Sequence, residues 1–178
     1  PLKPLFFWLT PIADALGISD FSAGTTPEIF RWAREEWPFG VLICFEDILP
    51  SLARDLATRG VSFIAVITND AWFLDTSAPF QHFQGSVFRA VENGVPVIRA
   101  TNTGVSGFIS WRGEVLKTVI DENQKKTFIT GFATHDLPLL TRPTIYRTIG
   151  WMFPYFVAGL LALLTIFMIR KNIHGSLS

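Results

Sequence analysis

Phe39-Gly-Val-Leu-Ile-Cys-Phe45, followed by Glu46-Asp47, decides how this chain is read. The run is apolar throughout, bounded by Pro38 on one side and by two carboxylates on the other. Strict alternation of apolar and polar residues marks a strand with one wet face. An unbroken apolar run of this length marks a strand buried on both faces, as in a parallel sheet between layers. Working outward, Ile48 to Arg59 reads as a helix with Ile48, Leu52 and Leu56 on one stripe and Gly60 as its stop. Val61 to Thr68 reads as a second buried strand. Phe80 to Asn93 reads as a helix whose apolar face carries Phe80, Phe83, Val87 and Val91, with Gly94 as its stop. Val95 to Ala100 is a third strand. Gly104 to Trp111 and Val115 to Ile120 flank Arg112-Gly113-Glu114, a hairpin signal, and Lys126 to Ala133 reads as a further strand. Strand–helix–strand units followed by a hairpin predict an α/β fold with a mixed sheet covered by helices.

The totals fit that reading and add a membrane to it. The chain has 178 residues, enough for one domain with a core. Half of it is hydrophobic (49%) against 17% charged, and the mean hydropathy of +0.34 points to a concentrated apolar segment. That segment is Thr148 to Ile169, which holds no charged residue. As one helix it would span roughly 30 Å, the thickness of the hydrocarbon layer. Trp151 and Tyr155 stand at one end as interface anchors, Pro154 falls in the first turn, and Arg170 and Lys171 follow at the other end. The basic flank predicts a cytoplasmic tail. The expected organisation is a catalytic part over residues 1–147 on the outer face, a transmembrane helix over 148–170 and a short tail over 171–178. The opening Phe6-Phe-Trp-Leu9 is too short to span. Net charge is zero, which argues against nucleic acid as a partner. A single cysteine excludes an internal disulfide. Pro1-Leu-Lys-Pro4 lacks an initiator Met and reads as the interior of something longer.

Cys44 is the candidate nucleophile. At the end of a strand and just before a helix, a thiol meets the positive end of the helix dipole, and backbone N–H groups can face the oxyanion it creates. The competing reading is an inert cysteine packed in the strand. Glu46, two residues on, would share a strand face with Cys44 and help order the site, or with Asp47 merely cap the helix. Asn69-Asp70-Ala71-Trp72-Phe73 follows the second strand, where ligands gather in open α/β sheets. Alternatively it is a turn with an exposed aromatic. His82 lies off the apolar face of its helix and reads as a surface or supporting histidine rather than a base; His135 and His174 are isolated. No residues have metal-ligand spacing, and no phosphate-binding glycine loop is present.

Ile43-Cys-Phe-Glu46, Pro50, Thr68-Asn-Asp-Ala-Trp-Phe73, Arg89-Ala-Val-Glu-Asn-Gly-Val-Pro96 and Arg99-Ala-Thr-Asn-Thr-Gly104 resemble the nitrilase, or carbon-nitrogen hydrolase, superfamily. With the closing apolar helix, the combination is similar to its apolipoprotein N-acyltransferase family. The resemblance implies the C-terminal part of a nitrilase-like α-β-β-α sandwich followed by one transmembrane helix. It implies a Glu-Lys-Cys triad with Cys44 as nucleophile, the Phe45 N–H as oxyanion donor, Glu46 as a supporting acid, and Asn69 and Trp72 in substrate binding. No cofactor is implied. The implied partners are a phospholipid acyl donor, a diacylglyceryl apolipoprotein acceptor and the membrane, in the bacterial inner membrane with the catalytic part on the periplasmic face. The triad's Glu and Lys would precede Pro1. Lys3 does not match that lysine, so this stretch alone would be inactive. Two rivals stay open: a nitrilase-like amidase cleaving a small C–N bond, and a non-catalytic membrane-anchored remnant or binding domain.

Overall fold

Six strands form one mixed sheet in the order β1 to β6: β1 (Ile29–Trp32), β2 (Trp37–Ile43), β3 (Phe63–Thr68), β4 (Val97–Thr101), β5 (Gly107–Ile109) and β6 (Val115–Thr118). This is a computed structural model describing residue 24, residues 26–32 and residues 36–175, with backbone alone for residue 151 and residues 170–175. Phe6-Phe-Trp-Leu9, Lys3 and the side chains of Trp151, Arg170 and Lys171 lie outside what it describes. The three strands expected to be buried, β2, β3 and β4, are the parallel ones. β1, β5 and β6 pair antiparallel at the two sides. The mixed α/β architecture therefore matches the sequence pattern, and β1 is an addition to it.

Helices α1 (Pro50–Thr58) and α2 (Ala78–Asn93) cross between the parallel strands and cover one face of the sheet. Leu42, Ile64, Val66 and Val97 alternate onto that face and meet Ala53, Leu56, Ala57, Phe83 and Ala90 from the helices. Gly40 is required there: a Cβ would come within 2.6 Å of both Leu56 methyls, and Leu56 is fully buried. On the opposite face Phe30, Phe39 and Phe63 stack across β1, β2 and β3, with ring centroids 5.4 and 4.9 Å apart. Ile43 and Ile67 on the same face are exposed. The described residues thus supply one helical layer on one sheet.

Four sequence expectations change. The helix expected from Ile48 starts at Pro50, because proline lacks the N–H and the room for a helix interior; Cys44–Ile48 forms a 3-10 turn instead. Only half of the apolar face assigned to α2 is buried: Phe83 lies in the core and Val87 packs against it. Phe80 and Val91 are each 45% exposed, whereas Pro79, His82, Phe83, Ser86, Arg89, Ala90 and Asn93 are buried. Polar groups can line a core when each is hydrogen-bonded or paired, so apolarity alone misplaces this stripe. Lys126–Ala133 forms no strand. Phe128 takes a left-handed φ of 54° and donates its N–H to the Thr103 carbonyl (2.8 Å), which breaks any extended ladder. The apolar terminus is not one helix from Thr148. A helix α3 (Ile145–Ile149) and a 3-10 turn (Gly150–Met152) precede α4 (Phe153–Gly175). From Phe153 to Ile169 the apolar run measures about 25 Å at 1.5 Å per residue. Among the described residues, no helix is long and apolar enough to cross a membrane.

α3 docks on the C-terminus of α2. Gly94 ends α2 in a left-handed conformation (φ 62°), and its carbonyl accepts the Arg142 N–H (2.9 Å). Thr144 donates its hydroxyl to the Glu92 carbonyl and caps α3 by accepting the Arg147 N–H (3.0 Å). A Cβ on Gly94 would lie 1.8 Å from the Arg142 carbonyl oxygen. Gly94→Ala should therefore destabilise the protein by about 1–2 kcal/mol through the left-handed backbone alone, and by more as Arg142 is pushed away. A urea titration of the two proteins measures this, and an unchanged midpoint would refute the docking.

Candidate active site

Parallel strands β2, β3 and β4 end at one edge of the sheet, and the candidate residues gather there. Cys44 follows the last residue of β2 and has φ 53°, a left-handed conformation that a non-glycine residue holds only when its surroundings enforce it. It is half-buried, so the thiol is not sealed into the core as the inert reading required. The 3-10 turn also breaks the alternation that would have set Glu46 beside Cys44. Glu46 instead folds back, and its carboxylate accepts the Ile43 N–H at 2.8 Å.

An open cavity of about 420 Å³ is lined by Ile43, Cys44, Ile67, Thr68, Asn69 and Asn102. Asn69 Oδ1 accepts from Asn102 Nδ2 (2.6 Å) and from the Ala71 N–H (3.2 Å). Asn102 Oδ1 accepts from the N–H groups of Asp70 (3.0 Å) and Thr103 (2.8 Å). The two amides thus lock the ends of β3 and β4 together beside the thiol. Glu46 borders a neighbouring cavity of about 700 Å³ that shares Ile43 and Ile67. Trp72 is 84% exposed and lines neither. Its neighbour Phe73 turns inward and packs edge-on against Phe45, 5.7 Å between centroids.

Beneath this edge lies a cluster of buried charge. Asp47 and Asp70 are fully buried, and Arg99 and His82 are nearly so. Arg99 Nη1 donates to Asp47 Oδ2 (2.5 Å) and to Ser86 Oγ (2.9 Å); its Nη2 donates to Asp70 Oδ2 (3.2 Å). His82 bridges the same carboxylates, Nε2 to Asp47 Oδ1 at 2.8 Å and Nδ1 to Asp70 Oδ1 at 2.9 Å. Ser86 donates to Asp47 Oδ2 (2.6 Å), and Thr68 donates to Asp70 Oδ1 (2.9 Å). Burial by itself would lower the His82 pKa. The hydrogen bonds to Asp47 and Asp70 outweigh that, and outweigh repulsion from Arg99, so the imidazole is pushed up to about 9. Burial alone would raise Asp70; His82, Arg99 and Thr68 together hold it below the ordinary carboxylate value. Two anions and two cations therefore balance. Gly104 is pressed against the cluster: a Cβ there would sit 2.0 Å from Asp70 Oδ2. Among the described residues no group of His, Cys, Asp or Glu is arranged to hold a metal ion.

The expected residues Cys44, Phe45 and Asn69 meet at this edge, while Glu46 and Trp72 face away from the thiol's cavity. Of the two readings of His82, surface or supporting, the surface one is wrong, because the ring is buried at the centre of the cluster. Asp47 was read only as a possible cap, Arg99 and Asn102 only as parts of a family block, and Ser86 not at all. Two signals pointed to Arg99 and Ser86. Arg99 is a lone charge inside the apolar strand Val97-Ile-Arg-Ala100, and His82, Ser86, Arg89 and Asn93 recur at helical spacing.

Removing one partner of such a cluster leaves uncompensated buried charge. Arg99→Leu should cost about 3–5 kcal/mol, read as a fall in the urea midpoint. The sign for His82 follows from its raised pKa. Its contribution is fully present below its ordinary value of 6.5 and is lost as pH rises through about 9. Melting temperature should therefore decline between pH 6.5 and 9.5; a flat profile there would contradict a protonated His82.

A family model described as carbon-nitrogen hydrolase matches residues 15–141. An apolipoprotein N-acyltransferase from Geobacter metallireducens is 36% identical over 169 residues, covering 93% of this chain and 31% of that protein. One from Allorhizobium ampelinum is 52% identical over 75 residues, covering 42% of this chain and 14% of its own length. The chain spans at most about a third of the curated relatives it matches. A solved amidase from Nesterenkonia sp. AN1 superposes with a TM-score of 0.46 at 23% identity, covering 58% of this chain and 40% of that one. The family match takes in Cys44, both asparagines and the whole charge cluster: the chain belongs to the carbon-nitrogen hydrolase family, and the curated relatives it resembles there are apolipoprotein N-acyltransferases.

Proposed function

We propose that this chain carries the nucleophile of an enzyme that N-acylates bacterial lipoproteins, taking the acyl chain from a phospholipid. The observation that carries the reading is Cys44: a half-buried thiol on an enforced left-handed turn, open to a cavity at the carboxyl edge of the parallel strands. The Cys44 thiolate attacks the ester carbonyl of the donor. The carbonyl oxygen takes the developing charge and is met by the Phe45 N–H. The C–O bond breaks, the leaving oxygen is protonated, and lysophospholipid departs from a thioester. The free amine of a diacylglyceryl-cysteine then attacks that thioester; the C–S bond breaks, the amide forms and the thiolate returns. Among the described residues no lysine borders the Cys44 cavity. In this reading a general-base Glu and an oxyanion-binding Lys complete the site in the intact protein.

In this reading Glu46 fixes the turn through Ile43, Asn69 shapes the acyl site, and exposed Trp72 meets lipid. Residues 1–147 belong to the catalytic part on the periplasmic face. Residues 148–170 anchor it in the inner membrane through α4, whose Phe153, Phe156, Leu163 and Phe167 are exposed, and 171–178 form the tail. The open sheet face is where the other sheet of the sandwich packs. Anchoring suits the chemistry, since both substrates are lipids.

Incubating the intact protein with labelled phospholipid should load Cys44 as a hydroxylamine-labile thioester. Cys44→Ala should lose all label. A diacylglyceryl-cysteinyl peptide should then discharge the thioester faster than water does. Equal labelling of Cys44→Ala would sink the mechanism, and discharge to water regardless of amine would favour a hydrolase.

A further inference from the structure

We infer that His82 is a positioning residue for the nucleophile turn, holding Cys44–Ile48 in its reactive shape through Asp47 and Phe45. The proposed mechanism gives His82 no role, yet two residues of the turn, Phe45 and Asp47, converge on it. Nε2 engages Asp47, the fourth residue of the turn; Nδ1 engages Asp70 at the end of β3. The imidazole face stacks on Phe45 (5.1 Å between centroids, planes 19° apart), and Phe73 closes its edge at 5.6 Å. The charged groups facing it are Asp47 from the turn, Asp70 from β3 and Arg99 from β4; its own helix contributes Ser86, which also bonds Asp47.

The turn needs such a hold. Cys44 is in a left-handed conformation that relaxes unless both sides of the turn are pinned. Before the thiol, Glu46 bonds the Ile43 N–H. After it, Phe45 is half exposed and its ring packs on His82 and Phe73, so the stack on His82 helps set where the Phe45 N–H points. His82 reaches no cavity that Cys44 lines, so it acts through Asp47 and Phe45 rather than on substrate. A protonated ring donates from both nitrogens and serves both carboxylates at once, which neither tautomer of the neutral ring does. The hold therefore weakens as the ring loses its proton, near pH 9.

The inference rests on the acyl-transfer reading for its rate measurement and on nothing but the fold for the others. In the intact protein, His82→Phe keeps a ring against Phe45 and removes both hydrogen bonds; His82→Gln keeps one donor; Asp47→Asn removes the charge on the turn. Thioester formation at Cys44 should fall on the order of 100-fold in His82→Phe, as expected for a misplaced reacting group, with the KM for phospholipid within about twofold. His82→Gln should recover part of the rate. The wild-type rate should fall above pH 9 and the His82→Gln rate should not. Hydrogen exchange should accelerate over residues 44–48 in all three variants while β3 and β4 stay protected. Wild-type rates in His82→Phe and Asp47→Asn, or a uniform loss of protection across the sheet, would overturn the inference. If wild type forms no thioester, the functional reading fails alone; exchange over 44–48 and the pH dependence of Cys44 alkylation by iodoacetamide still decide the role of His82.

Discussion

The pairing of Asp47 and Asp70 with His82 and Arg99 is the constraint on which the rest of the structure depends. Two carboxylates and two cations out of water cost several kcal/mol each unless their partners are close and their hydrogen bonds complete. Here they are nearly complete: the carboxylate oxygens receive Arg99, His82, Ser86 and Thr68. Because the four charges come from the Cys44–Ile48 turn, the segment just past β3, α2 and β4, none of these elements can shift without breaking a pair. A hydrophobic contact is non-directional and tolerates a small slide; a bridged pair of carboxylates does not. The cluster therefore confers geometry at the carboxyl edge of the sheet more than raw stability.

That geometry extends toward the end of the chain. Arg89, on the same stripe of α2, donates to the Ile48 carbonyl (3.3 Å) at the close of the nucleophile turn, and pairs with Glu92 at 2.9 Å. Burial pushes the Glu92 carboxyl up, against the pull of Arg89 and of a hydrogen bond with Tyr146 of α3. The Cys44–Ile48 turn, α2 and the segment leading into α4 are thus joined by one line of polar contacts.

The layer arrangement follows from simpler rules. β2, β3 and β4 alternate between a face sealed by α1 and α2 and a face bearing stacked phenylalanines and exposed isoleucines. An apolar run in a strand states only that both faces avoid water. The helices account for one face, and the other matches the second sheet that a sandwich supplies.

The sequence by itself determined the parallel core, the hairpin, the α/β class and the family, because apolar runs, glycine stops and the blocks around Cys44 and Asn69 are local signals. It also marked Cys44 as the candidate nucleophile. The tertiary structure alone decided what packs beneath that thiol. Asp47, Asp70, His82 and Arg99 span 52 positions of chain, and no periodicity reveals that four charges will neutralise one another in the interior. The same blindness left the polar half of the buried face of α2 unread, since a pattern search weighs apolar residues and does not register a polar stripe made buriable by its partners. The shared strand face expected of Glu46 and Cys44 is lost as well: the alternation of a strand fails once Cys44 takes a left-handed turn. The opening stretch, Phe39 to Asp47, is accordingly two things: a strand that its own composition specifies, and a turn that meets both a local bond from Glu46 and buried charges brought from far along the chain.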